Sequence, residues 1–166
     1  MMRKLDEDIC LQDNGHVIKT LSLSDYDQHW RDDYLTESRY ELYGKRFMRQ
    51  DAQAVGAFVN SKLAYSTWIL YDGVEINGII HGEKGVGMLW DSYCLPQYRG
   101  MGLHNYMNAY SLNLMRKKGM EYGSVVVLAH NVPAIKTQKK CGLEIEKTFY
   151  TYKFLGKKYC SFKITK

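Results

Sequence analysis

The stretch LPQYRGMGLHNYMNAYSL, residues 95–112, decides the fold. A proline and an arginine stand ahead of two glycines. Behind them Leu103, Met107, Tyr110 and Leu114 recur four, three and four residues apart, the spacing of one helix face. The helix runs over 103–118 and Gly119 closes it. A helix N-terminus leaves N–H groups unpaired and carries a partial positive charge. Glycines just before it let the backbone wrap an anion, and Arg99 adds a permanent cation. The arrangement reads as a cradle for phosphate or pyrophosphate. It is neither the lysine-bearing G-x-x-x-x-G-K-[ST] loop nor the dinucleotide G-x-G-x-x-G.

Upstream, residues 64–95 are rich in strand formers, with an Asp72-Gly73 turn and a GEKG turn. They predict three antiparallel strands near 65–71, 74–81 and 86–95. Further back, Val55, Phe58, Val59 and Leu63 share one face of a helix predicted over 49–64. Residues 25–43 predict one or two short helices, with Ser24 and Asp27 as a start signal. HVIKTL, 16–21, reads as a short strand, and 1–15 as a polar lead-in. Downstream, YGSVVVLAHN predicts a strand over 122–129, apolar enough for a sheet interior. A short helix follows, with Pro133 in its first turn and Gly142 at its end. A final hairpin turns at Leu155-Gly156. Residues 86–129 then form a parallel crossover. The fold class is α/β: a mixed central sheet, antiparallel meander plus parallel crossover, flanked by helices on both faces, in one domain over 1–166.

These residues carry a resemblance. Gln97-Tyr98-Arg99-Gly100-Met101-Gly102 is similar to the Q/R-x-x-G-x-G/A motif of the GNAT N-acetyltransferase superfamily. VVVLAHNVPAIKTQKKCGL resembles that family's second stretch, with Asn131, Ala134, Gly142 and Leu143 on matching positions. The likeness covers 65–165 well and the first 64 residues only in the order of elements. It implies acetyl-CoA as cofactor, its pyrophosphate on the N–H groups of residues 100 to 104. The implied cofactor site comprises Cys94, Leu95, Gln97, Arg99, Gly100, Met101, Gly102, Leu103, His104, Asn131 and Ala134. The strand ending at Cys94-Leu95 would bond the pantetheine arm and splay from strand 122–129, with the thioester in the gap.

The implied reaction is direct acetyl transfer to a primary amine of a small molecule or peptide. A base, often reached through water, removes the ammonium proton. A backbone N–H near Cys94 steadies the oxyanion. Asp91, on the strand before the motif, is a candidate base; its competing role is to position a substrate or face solvent. His130, beside Asn131, is a second candidate, since imidazole exchanges protons nearest neutral pH. Against that, a loop histidine also serves structure. His104 packs or helps at the phosphate. The family's usual tyrosine position, seven after Asn131, holds Gln138, which donates no proton as an acid. A thiolate leaves without one, or water or another tyrosine serves, with Tyr93, Tyr150 and Tyr152 among them. Gln138 also favours the alternative, a non-catalytic acyl-CoA-binding or regulatory module on the same fold. Cys94 or Cys141 as an acyl-carrying nucleophile ranks low, for no His-plus-acid arrangement accompanies either. Trp90, next to Asp91, packs in the sheet or lines the acceptor site.

Bulk properties set the remaining bounds. Of 166 residues, 45% are hydrophobic and 25% charged, ordinary for a globular chain. No apolar run suits a membrane span, and the first residues lack the apolar stretch of a secretory signal. The four cysteines lie far apart, with neither a metal nor a disulfide pattern, so free thiols in the cytoplasm are expected. Charge is split: 10 Lys and Arg against 15 Asp and Glu through Leu95, then 13 against 3. The basic portion suits an anionic cofactor and the acidic portion a cationic amine; a solvated basic surface explains the first equally. The lysine clusters at 116–118, 136–140 and 156–158 come without a nucleic-acid motif, so no nucleic-acid partner is expected. The tyrosine-rich final hairpin is a candidate homodimer interface.

Overall fold

The computed structural model describes residues 1–11, 15–154 and 157–164, with side chains except at 152–160 and 162. In chain order the elements are β1 (Met2–Lys4), β2 (Val17–Thr20), α1 (Gln28–Asp33), α2 (Glu37–Phe47), β3 (Ala52–Val59) and β4 (Lys62–Leu70). Then come β5 (Gly73–Ile76), β6 (Ile79–Gly82), β7 (Val86–Cys94), α3 (Leu103–Lys117), β8 (Tyr122–Val125), α4 (Val132–Lys140), β9 (Lys147–Phe154) and β10 (Lys157–Ile164). Six strands form the main sheet in the order β1-β8-β7-β4-β3-β2. All neighbours are antiparallel except β7 and β8, the expected parallel crossover through α3.

Side-chain alternation divides the core between the two sheet faces. Val55, Ala57, Tyr65, Ile69 and Leu89 pack with Met107, Leu112 and Met115 of α3. Ala54, Trp68, Leu70, Met88 and Trp90 pack with Trp30 of α1 and Tyr43 of α2. Consecutive residues such as Trp68, Ile69 and Leu70 therefore join opposite layers. Asp27 starts α1 by accepting the Trp30 N–H, and Asp25 accepts the Ser22 N–H one turn earlier. The start signal thus lies on Ser22, Asp25 and Asp27 rather than on Ser24.

Two glycines fix how closely α3 lies on the parallel pair. Gly87 and Gly123 are register partners on β7 and β8. A Cβ at Gly123 would sit 2.3 Å from Leu112 Cδ2, and one at Gly87 would sit 2.8 Å from Met115 Sδ. Their bare backbone lets α3 settle onto the two strands, which places its N-terminus at the end of β7.

Four expectations are corrected. Residues 49–64 form no helix: they are β3, the turn and the start of β4. Asn60 and Ser61 both have positive φ, 50° and 62°, as a two-residue hairpin turn requires. Both faces of β3 are covered, so its apolar run lacks alternation and imitates a helix stripe. Residues 74–81 form no single strand of the meander. Asn77-Gly78 folds them into the separate β5–β6 hairpin, and β3–β4–β7 is the meander. β8 ends at Val125, four residues short of 129. The lead-in contains β1, which pairs with β8 and buries Leu5. The final hairpin is present as β9–β10 and pairs within itself; its Leu155-Gly156 turn lies outside the described residues.

Candidate active site

β7 builds the site by changing partners along its length. Val86 to Leu89 pair with Tyr122 to Val125 of β8. Past Leu89, β7 keeps pairing with β4 as far as Cys94, while the chain after Val125 leaves the sheet. The two parallel strands thus part in a V. At the parting Asp91 takes φ 52°, and the β4 register shifts between Ser66 and Trp68. This is a bulge, and it re-aims the Asp91 side chain.

The cradle lies at the far end of β7. Leu95 is buried and anchors the turn, and Pro96 opens a single 3₁₀ turn before the glycines. Gly100 and Gly102 are left-handed, φ 84° and 75°. A Cβ on either would meet nothing within 4 Å, so both face open space. Gly102 is the N-cap of α3 and no side chain caps that end. The first N–H groups of the helix, Leu103 and His104 among them, are therefore available to an anion. Met101 and Gln97 are exposed beside them. Arg99 lies back along β7: its Nε donates to the Cys94 carbonyl at 3.2 Å and its Nη2 to the Tyr93 hydroxyl at 3.2 Å. His104 Nδ1 and the Tyr65 hydroxyl are hydrogen-bonded at 2.6 Å. Burial pushes the His104 imidazole below its ordinary 6.5, so it sits neutral at the cradle.

The second matching stretch has a local reason for its pattern. Asn131 caps α4, its side chain accepting the Ala134 N–H at 3.2 Å. Gly142 ends the helix at φ 78°. Gln138 is buried and its Oε1 has no hydrogen-bond partner. His130 is exposed on the turn between the V and α4.

Asp91 stands at the head of an open cleft of about 740 Å³, lined by Thr36, Ser38, Arg39, Arg46, Glu75, Trp90 and Leu128 among others. Its Oδ1 accepts the Tyr34 hydroxyl at 2.6 Å and Arg39 Nη1 at 3.3 Å; its Oδ2 accepts Arg46 Nη1 at 2.7 Å. Three of the roughly four lone-pair sites of the carboxylate are thereby engaged. Arg46, 7% exposed at its side chain, also lies 3.6 Å from the Trp90 ring centroid. The Trp90 indole N–H donates to Glu75 Oε2. Tyr34 stacks on Tyr93 at 3.6 Å, and Tyr93 donates to Asp33 at 2.9 Å. A contact chain Arg99–Tyr93–Tyr34–Asp91 therefore joins cradle to cleft. Arg39, Arg46, Tyr34 and Glu75 were not among the candidate residues legible in the sequence. The signal for the arginines was their spacing of seven, which puts both on one face of α2.

Cys94 and Cys141 make poor nucleophiles. Burial raises both the Cys94 and Cys141 thiols, so their thiolate is scarcer than in a free cysteine. Burial, followed by Asp33, also raises the Tyr93 phenol, a proton donor but a reluctant phenolate. Tyr150 is exposed on β9; the Tyr152 side chain lies outside the described residues. Among the described residues no group of three or more His, Cys, Asp or Glu could hold a metal, and no helix is long and apolar enough to cross a membrane.

No family model and no curated protein sequence matches the chain. Solved structures match its fold. An aminoglycoside antibiotic 6'-N-acetyltransferase from Acinetobacter baumannii has a TM-score of 0.66 at 14% identity, over 86% of this chain and 100% of that one. An aminoglycoside N-acetyltransferase in complex with CoA gives 0.60 at 16% identity, over 78% and 92%. A transcriptional regulator from Bacillus halodurans gives 0.62 at 10% identity, over 78% and 93%. The chain thus shares the fold of these solved structures, two of which are acetyltransferases.

Proposed function

We propose that the chain is an acetyl-CoA-dependent N-acetyltransferase that moves the acetyl group directly to a primary amine of a small molecule or peptide. One observation carries the reading: two left-handed glycines open an uncapped helix mouth at the end of a strand that parts from its parallel neighbour. The open space at Gly100 and Gly102 fits a pyrophosphate, which side chains there would exclude. Acetyl-CoA supplies an activated acyl carbon on a leaving thiol. The residues at the cradle are Gln97 and residues 99 to 104; Cys94 and Leu95 offer strand backbone to the pantetheine arm; Asn131 and Ala134 form the turn on the opposite side of the V. Arg99 reaches the anion by exchanging its bonds to Cys94 and Tyr93.

The acceptor amine enters from the cleft beside Trp90 and Asp91. For Asp91 the geometry favours the positioning role over that of base, because its lone pairs already carry Arg46, Arg39 and Tyr34. His130 is the candidate base, on the exposed turn at the mouth of the V. Tyr93 and Tyr150 are candidate proton sources for the thiolate, which also leaves unassisted at neutral pH, since thiols ionise near ~8.5.

A second reading keeps acyl-CoA binding and drops the chemistry. The buried Gln138 favours it, as no acid stands at that position of α4. Acetyl-CoA binding by calorimetry together with thiol release against a panel of amines separates the two: amine-dependent release supports the enzyme, and binding without release for any amine supports the module.

A further inference from the structure

The acceptor cleft holds four charged side chains, and their balance bears on what it takes. Arg39, Arg46, Glu75 and Asp91 line it, two cations and two anions. Arg46 and Asp91 are paired at 2.7 Å and largely buried, with Arg46 Nε left without a partner. That pair is internal to the wall. Arg39 and Glu75 remain, one of each sign. The Arg39 side chain is 37% exposed and spends one long hydrogen bond, 3.3 Å, on Asp91 Oδ1. Its guanidinium lies over the Tyr34 ring, 4.1 Å from the centroid, which holds the plane in place and leaves most of its five donors unspent. The Thr36 and Ser38 hydroxyls lie on the same wall. Glu75 faces the cleft beside Trp90, its Oε1 accepting the Gly78 N–H at 2.6 Å. Each of its oxygens has a lone pair left for an ammonium.

A polycation suits this cleft poorly, because no net negative charge attracts it and two arginines repel it. The acidity of the first 95 residues is thus not gathered where the amine must enter. A phosphorylated amine fits less well than a monoanion, since a dianion leaves one charge uncompensated. From the reading of this site as an acetyltransferase, we infer that the acceptor is an amino-carboxylate, an amino acid or short peptide with a free carboxylate. Arg39 holds that carboxylate by charge-assisted hydrogen bonds, and Glu75 receives the ammonium before its proton is lost. Arg39 is then a specificity-determining residue. It grips a part of the acceptor that does not react, so it acts on KM more than on kcat.

Matched acceptors test this: amino acids and dipeptides against their C-terminal amides, with an aminoglycoside beside them. Thiol release from acetyl-CoA is followed for the wild type, Arg39→Gln and Arg39→Lys. The acids are expected to exceed the amides in kcat/KM by about 10- to 100-fold, mostly through KM. Arg39→Gln is expected to lower kcat/KM far more for the acids than for the amides, which abolishes that preference, and Arg39→Lys to restore part of it. Acetyl-CoA affinity, read by calorimetry, serves as the folding control for both variants. Amides or the aminoglycoside used as well as the acids, or Arg39→Gln lowering acids and amides equally, overturns the inference. A protein that binds acetyl-CoA but releases no thiol overturns the proposed activity instead. Direct binding of the acids by ligand-observed NMR then decides the acceptor claim: loss of binding in Arg39→Gln upholds it, and no binding to the wild type refutes it.

Discussion

Arg46 donates to Asp91 Oδ2 at 2.7 Å while its guanidinium lies 3.6 Å from the Trp90 centroid. One side chain of α2 thus clamps the bulge at which β7 parts from β8. The pair is largely buried, and removing Arg46 leaves the Asp91 carboxylate only the longer 3.3 Å ion pair with Arg39. Arg46→Ala is expected to cost about 3 kcal/mol or more. Arg49→Ala breaks a pair whose partners are 36% and 45% exposed, and is expected to cost less than ~1 kcal/mol. Thermal melts of the two variants check the difference. Equal losses would refute the clamp.

The approach of α3 to the sheet gives a second expectation. A Cβ at Gly123 would lie 2.3 Å from Leu112 Cδ2, and Leu112 is fully buried, so its side chain or the helix must shift. Gly123→Ala should destabilise by about 1–3 kcal/mol. It should also weaken acetyl-CoA binding by shifting the N-terminus of α3. Denaturant unfolding and calorimetry read the two effects. Wild-type stability in this variant would mean that the helix is not seated as described.

His104 makes stability depend on pH in a stated direction. Burial lowers its folded-state value below 6.5, so the unfolded chain binds the proton more readily. In the window from 6.5 down to the folded value, stability falls as pH falls. Above 6.5 the group contributes no slope. His104→Gln should flatten that limb in melts recorded between pH 8 and 5. An unchanged slope would assign it to other groups.

Much of the site-bearing half was legible because its local signals agree with one another. The Gly100 and Gly102 turn, the 3.6 period of α3 and the Asn131 and Pro133 start of α4 each have a short-range cause. The β3 segment failed for a different reason. Its sheet position covers both faces, which erases alternation, and Asn60-Ser61 is a weaker turn signal than Asn-Gly. β1 was invisible because three residues of mixed polarity become a strand only against β8. The Asp91 cluster was legible only in part, since Tyr34, Arg39 and Arg46 reach Asp91 across 45 to 57 positions of sequence.

The cradle is tested by filling it. Gly102 has φ 75° and faces open space. Gly102→Trp adds left-handed strain of about 1–2 kcal/mol and occupies the volume assigned to the pyrophosphate. Acetyl-CoA affinity should fall at least about tenfold, and Arg99→Ala should lower it as well, by the loss of one cation. Unchanged affinity in both variants would remove the pyrophosphate from residues 100 to 104.

The central claim is direct acetyl transfer, and thiol release from acetyl-CoA with and without an acceptor amine tests it most directly. Release is expected to require the amine, to saturate with it and to persist when Cys94 and Cys141 are both replaced by alanine. Tight acetyl-CoA binding with no release for any amine would contradict it and leave a binding module on the same fold.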